Sequence, residues 1–189
     1  MKAARIERIS PRATKSCHER VAAIEMELIA AKAAAARVAE RGREIHMFHA
    51  GHEELLHRML NALQPGSYVP PHRHLATAKA EAVILLQGSI GFVPFLDDGA
   101  VDTEHLLRLS QESGVLGFDC RPHVWHTFFA LEQDTVVFEV KKGPFDAGKD
   151  KEFAPWAPEE NDPSARDYLA AVEDELRSHF RLPRRRWQP

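Results

Sequence analysis

Apolar residues are spaced along this chain in two rhythms. Val21, Ile24, Leu28, Ala31, Ala35 and Val38 recur at three- and four-residue intervals, one stripe of an amphipathic helix. Ser16 and Glu19 stand ahead of it at capping-box spacing. Alanine filling favours helix, and Gly42 is a plausible stop. The pattern thus predicts a helix from Ser16 to Gly42, with residues 1–15, charged and poorly patterned, frayed before it. The stripe serves either as a seam between two copies or as a face packed on the chain's own core. From residue 58 onward the rhythm shortens. Residues 58–63 (R-M-L-N-A-L) fit helix or strand, and the Q-P-G-S turn after them favours strand. A-V-I-L-L (82–86) is a strand closed by Gln87-Gly88, and 89–96 leads into Asp97-Asp98-Gly99-Ala100, a hairpin signal. Residues 101–109 return, with Asp102, Glu104 and Arg108 toward solvent. Residues 114–119, 126–131 and 135–141 follow as short strands. This succession predicts a sandwich or barrel and not βαβ units. Beyond it, 143–161 is rich in proline and charge but carries Phe145, Phe153 and Trp156, and reads as an ordered arm on the barrel. A last helix opens with Asp162 as N-cap and Pro163 in its first position. Its apolar stripe is Leu169, Val172, Leu176 and Phe180. Arg184-Arg185-Arg186 is either a solvated tail or a polyanion contact.

Composition narrows the class. The chain has 189 residues, 44% hydrophobic and 28% charged, with a net charge of −3, as expected of one soluble domain with appendages. That charge gives no argument for nucleic acid or membrane binding. Two cysteines, Cys17 and Cys120, make no disulfide framework and fit a reducing, cytoplasmic setting. The basic N-terminus lacks the apolar run of a signal peptide.

The chemistry centres on residues 66–88, G-S-Y-V-P-P-H-R-H-L-A-T-A-K-A-E-A-V-I-L-L-Q-G. Pro70 and Pro71 favour extended backbone, so His72 and His74, two apart, point the same way. They can share one metal ion. Glu81 opens the next strand, and His126 heads a later one in G-F-D-C-R-P-H-V-W-H-T-F-F-A-L. His46, His49 and His52 are spaced by three, which suits neither a strand face nor the i, i+4 ligand pair of a helix.

Gly66, five residues, His72-x-His74, a glutamate, six residues and Gly88 resemble the first motif of the cupin superfamily. Gly117 through Pro122 to His126 is similar to the second. Within that superfamily, R-M-L-N-A-L-Q-P-G-S-Y-V-P-P-H-R-H, K-A-E, V-W-H-T, F-E-V-K-K-G-P-F-D and D-K-E-F-A-P-W-A-P resemble the WbuC-type cupin metalloproteins, often encoded with polysaccharide genes. The likeness spans residues 40–160. Two departures stand out: the gap from His74 to Glu81 is two residues longer than usual, and His123 replaces a common glycine, with no asparagine at the usual distance after His126.

The resemblance implies an all-β core, a double-stranded β-helix or jelly-roll barrel, with N-terminal and C-terminal helices. It divides the chain into a helical extension (1–42), a barrel with the metal site (43–142) and an arm with a helix packed on the barrel (143–189). It also implies one divalent metal ion, zinc, iron, nickel, manganese or copper, held by His72, His74, Glu81 and His126. Glu81 is a ligand, a group orienting a histidine, or a catalytic base. Tyr68, Arg58 and Lys79 are candidates for contact with a small-molecule substrate. Trp125 should face the core, and Cys120 is either a soft ligand or an inert thiol. The expected protein is a cytoplasmic homodimer that binds or transforms a small carbohydrate-related or acidic metabolite. The alternatives are a metal-dependent sensor, an iron dioxygenase and a barrel whose metal is only structural.

Overall fold

The structure, a computed structural model, describes residues 4–75, 79–146, 148 and 150–185. Its strands are β1 (Arg5–Ser10), β2 (Ala13–Cys17), β3 (Arg43–Met47), β4 (Leu56–Leu63), β5 (His72–Arg73), β6 (Glu81–Gln87), β7 (Ile90–Phe95), β8 (Leu107–Leu109), β9 (Gly117–Cys120), β10 (Trp125–Ala130), β11 (Thr135–Lys142) and β12 (Glu152–Phe153). Its helices are α1 (Met26–Val38) and α2 (Ala165–His179). One sheet runs β1-β2-β3-β4-β11-β6-β9 and the other β12-β5-β10-β7-β8. Between β4 and β11 the chain crosses from sheet to sheet: β4, β6, β9 and β11 lie in the first, β5, β7, β8 and β10 in the second. Eight strands interleaved in this way make a jelly roll, with a helix near each end of the chain.

Alternation along the strands divides the side chains between the barrel interior and its two outer faces. The apolar part of the interior is Leu63, Val83, Leu85, Ile90, Phe92, Leu109, Phe118, Phe128 and Val137, with Cys120 and Ala130. Outside the second sheet, Val93, Phe95, Trp125 and Phe129 pack under Leu169, Val172 and Leu176 of α2. Trp125 thus sits in the core, on the face opposite His126. Gly91 makes α2's approach possible, because a Cβ there would lie 2.6 Å from Leu176 Cδ1. Gly88 turns β6 into β7 with φ +82, a conformation that suits glycine.

The N-terminal third departs from the sequence reading. Residues 5–17 are not frayed but form an antiparallel hairpin, β1 with β2, and α1 begins at Met26 and not at Ser16. The Ser16 hydroxyl is spent elsewhere, 2.8 Å from His46 Nε2, while Thr14 Oγ1 lies 2.8 Å from His46 Nδ1 and accepts from Lys32 Nζ at 2.8 Å. These buried bonds across the sheet outweigh a local capping signal. β2 pairs parallel with β3, with α1 between them in the chain, so one βαβ crossover exists where none was expected. The helix stripe is also out of phase. Ile29, Ala33 and Ala36 bury against Phe48, Leu60, Ala62 and Val136, whereas Val21 and Val38 are exposed. The buried face of α1, Ile29, Ala33 and Ala36, therefore packs on its own barrel.

Smaller differences are local. Of 101–109 only Leu107–Leu109 is strand. Asp102 instead caps a turn, accepting from Glu104 N and pairing with His105, and Arg108 pairs with Glu112. α2 starts at Ala165 because Asp162 Oδ1 accepts from the Ser164 backbone and hydroxyl, adding a turn ahead of the helix. In the arm, Trp156 stacks against Phe95 and Trp125, and β12 pairs with β5. Arg184 and Arg185 reach Asp174 and Glu173; Arg186 lies outside the described residues.

Candidate metal centre

Two strands of the second sheet and one of the first bring four side chains to one end of the interior. On β5 and β10, His72 and His126 face each other across the ladder, with ring centroids 4.6 Å apart. His74 follows two residues after His72, its ring 5.4 Å from it. Glu81, the first residue of β6, closes the group from the other sheet. One ligand atom from each of the four lies within 4.8 Å of the others. All four side chains are buried, His72 completely.

The hydrogen bonds fix which nitrogen is available. Nδ1 of His72 lies 2.9 Å from Pro70 O, Nδ1 of His74 2.7 Å from Asp150 O, and Nδ1 of His126 2.9 Å from Val124 O. A carbonyl only accepts, so each Nδ1 carries the proton and donates it. Each Nε2 then turns a lone pair inward. Those of His72 and His126 are buried with no hydrogen-bond partner. Nε2 of His74 stands 3.1 Å and Nε2 of His126 3.5 Å from the same oxygen of Glu81. Lone pairs this close to a carboxylate oxygen require a proton or a cation between them. Three neutral imidazoles, each oriented by a carbonyl, with one carboxylate fit a divalent metal.

The charges agree with this fit. Burial drives the His72 imidazole well below its usual pKa, with the Lys151 ammonium adding to the effect. Burial alone would raise Glu81, but the neighbouring His126 and His74 rings and the charge of Lys141 hold its carboxyl well below the usual range. Burial works against a charged His126, but Cys120 and Glu81 together lift it to about 10.

The wall opposite the histidines is charged. Lys141 stands opposite Glu81 in the β6–β11 ladder. Its Nζ is 3.3 Å from Glu139 and 3.6 Å from Asp150, and Asn61 donates to Glu139. Burial would lower Lys141, but Glu139, Glu81 and Asp150 hold it above its usual value. Lys151 is pushed down to about 8 by burial and then by the charge of Lys141. Lys141 and Glu139 escaped the sequence reading because in T-V-V-F-E-V-K they alternate with apolar residues, as on a strand with one wet face. Here the charged residues share the interior with Val137, and Val136 and Phe138 pack outward under α1.

The other expected contacts lie elsewhere. Tyr68 is not a wall of this site. It packs outside the second sheet against Tyr168, and its hydroxyl donates to Pro158 O. Arg58 belongs to the outer face of β4, in phase with Leu60 and Ala62, and pairs with Glu54 at 3.0 Å. Lys79 reaches the site indirectly, holding Asp150 at 2.5 Å, the residue whose carbonyl orients His74. Cys120 lies 3.7 Å from His126 Nδ1, beside the ring but not on its inward nitrogen. His46 is held by Thr14 and Ser16, and His49 stacks on His57 with centroids 4.1 Å apart. Neither belongs to the cluster, nor does His52, beside Phe145.

A family model described as a domain of unknown function, DUF6016, matches residues 24–107, less than half of the chain. No curated protein matches. Among solved structures the chain is similar to KdgF from Halomonas sp., with 20% identity, 58% of this chain and 84% of that one covered, and a TM-score of 0.43. It is also similar to oxalate decarboxylase from Bacillus subtilis, with 17% identity, a TM-score of 0.42 and 70% of this chain covered, but only 30% of that one. A third is the SPY1581 protein of unknown function from Streptococcus pyogenes, with 12% identity, 57% and 79% covered, and a TM-score of 0.42.

Proposed function

We propose that the chain is a metalloprotein of the WbuC-type cupin kind. In this reading it holds one divalent ion through His72, His74, His126 and Glu81 and presents it to a small acidic or carbohydrate-related metabolite. The observation that carries the reading is the convergence of three inward Nε2 atoms on one buried carboxylate, each imidazole fixed by a backbone carbonyl. Imidazole and carboxylate donors suit zinc, iron, nickel or manganese alike. Such an ion supplies Lewis-acid polarisation of a ligand oxygen.

The chain's own residues supply orientation and charge. Pro70, Asp150 and Val124 fix the rings, and Phe92, 5.7 Å from the His126 ring, keeps one side dry. Lys141 and Lys151 put positive charge beside the ligand group, which favours an anionic metabolite. The carbohydrate part of the reading rests on the WbuC resemblance alone.

A second reading, a metal-dependent sensor without turnover, is favoured by one observation. The carboxylates on the wall are already engaged, Glu139 by Asn61 and Lys141, Asp150 by Lys79 and Lys141. A carboxylate acting there as a base would first have to leave one of these pairs.

Elemental analysis of protein purified without a histidine tag should give about one divalent ion per chain. His72→Ala with His74→Ala should lose it, since one imidazole and one carboxylate hold an ion poorly. Stoichiometric metal in that double variant would overturn the assignment. Thermal-shift screens against acetate, citrate and sugar acids, with and without metal, then separate the readings. Turnover of a hit supports an enzyme, and saturable binding without turnover supports the sensor.

A further inference from the structure

Away from the metal centre, the molecule carries a groove of about 1160 Å³. Four separate stretches of chain bring arginines to it: Arg12 from the β1–β2 turn, Arg41 and Arg43 from the entry to β3, Arg166 from the start of α2, and Arg177 and Arg185 from its far end and beyond. Among the described residues three acidic side chains, Glu40, Glu160 and Asp162, share the lining, and Glu173 beside it pairs with Arg177 and Arg185. In a chain of net charge −3 this is a local reversal of sign. Gathering like charges costs free energy, and the ion pairs to Glu160 and Glu173 offset it for Arg41, Arg43, Arg177 and Arg185 but not for Arg12 and Arg166.

The groove also displays how it would hold an anion. The Glu160 carboxylate is clamped by two guanidinium groups, with Arg41 Nη1 3.2 Å from both its oxygens and Arg43 Nη2 2.5 Å from one. Arg43 is itself pinned by Ser67 Oγ at 3.2 Å and Tyr68 O at 2.8 Å. Planar forks held in this way match carboxylate and phosphate oxygens. Burial, and then the charge of Arg41, pushes Arg43 down to about 10, still charged at neutral pH. Arg12 and Arg166 are exposed, and their guanidinium groups make no ion pair among the described residues, so no described carboxylate cancels their charge. Asp162 spends its carboxylate on Ser164. Tyr68, the aromatic residue in the lining, has its hydroxyl on Pro158 and its ring against Tyr168. Among the described residues the groove thus offers forks for anionic groups but no free ring on which a nucleobase could stack.

We propose that this groove is a second binding site, separate from the metal centre, for a small oligoanion carrying several phosphate or carboxylate groups. Arg41 and Arg43 form its anchored end, and Arg12 and Arg166 supply free charge.

Calorimetric titration of the full chain tests this with two probes, inorganic tripolyphosphate and a short oligogalacturonate, and their ranking tells phosphate from carboxylate chemistry. One probe should bind with an affinity that falls steeply with salt. Arg12→Ala with Arg166→Ala, both at exposed positions, should weaken it at least tenfold while metal content stays at the wild-type level. His72→Ala with His74→Ala should leave it unchanged, which separates this site from anion binding at the metal. Undiminished binding in the arginine double variant would overturn the proposal, as would failure of both probes to bind wild type at millimolar concentration. Tighter binding of a single-stranded oligonucleotide than of either probe would do so too.

Discussion

A histidine that gives its Nδ1 proton to a backbone carbonyl keeps a single lone pair for other work. In this chain three do so, and all three lone pairs turn to the place where Glu81 stands. Glu81 lies close to Nε2 of both His74 and His126, so Glu81→Gln should weaken metal affinity by more than the roughly 10–100-fold typical of a group that only orients a ligand. Competition with a fluorescent chelator would measure it, and an unchanged affinity would remove Glu81 from the centre. The pH dependence has a definite sign. Against the effect of burial, Cys120 and Glu81 raise His126 to about 10, so an incoming ion competes with a proton for that ring. Affinity should therefore fall as pH falls. Calorimetry in buffers of different ionisation enthalpy should find about one proton released per ion, and less in Glu81→Gln, where the partner that holds the proton is gone.

Among elements, the docking of α2 depends on Gly91. A Cβ there would press on Leu176, which is fully buried, so Gly91→Ala should cost about 1–3 kcal/mol. Leu176→Ala should cost about 2–5 kcal/mol. Together the two should cost less than their sum, because the smaller residue at 176 makes room for the new methyl; additive costs in urea unfolding would argue against this contact. The elements also show what the sequence could and could not convey. The strands of the barrel were legible because glycine and proline punctuate short alternating runs, and His72, His74 and His126 because their spacings are those of strand faces. The hairpin at residues 5–17 was not legible. Its Thr14, Lys15 and Ser16 look polar and featureless until His46, some thirty residues away, supplies the partner for the two hydroxyls. Nor was the charged wall, since alternation tells which residues share a face but not whether that face is wet. Arg58 and Tyr68 failed for a related reason: Arg58 is on the outer face of β4, and Tyr68, before β5, packs outside the second sheet.

For the whole molecule, a homodimer of the kind expected from the resemblance would not use the buried face of α1, which its own barrel covers. Sedimentation at micromolar concentration should show a dimer, unchanged by Met26→Glu or Val38→Glu, both at exposed positions of the helix. A monomer would count against the dimer, and a change of mass in either variant would return the seam to α1. The arm after β11 has a consequence of another kind. Ala154 N donates to Pro71 O, Phe153 pairs opposite His72, and the Asp150 carbonyl holds His74. Lys79 ties Asp150 in place. If an ion seated among the histidines leaves past this arm, how tightly it binds and how long it stays become separate properties. Removal by excess chelator should speed up with chelator concentration only to a ceiling, the rate at which the arm opens. Lys79→Ala should raise that ceiling while changing the equilibrium affinity far less. In a cell where metals compete, such a centre would keep the ion it received first.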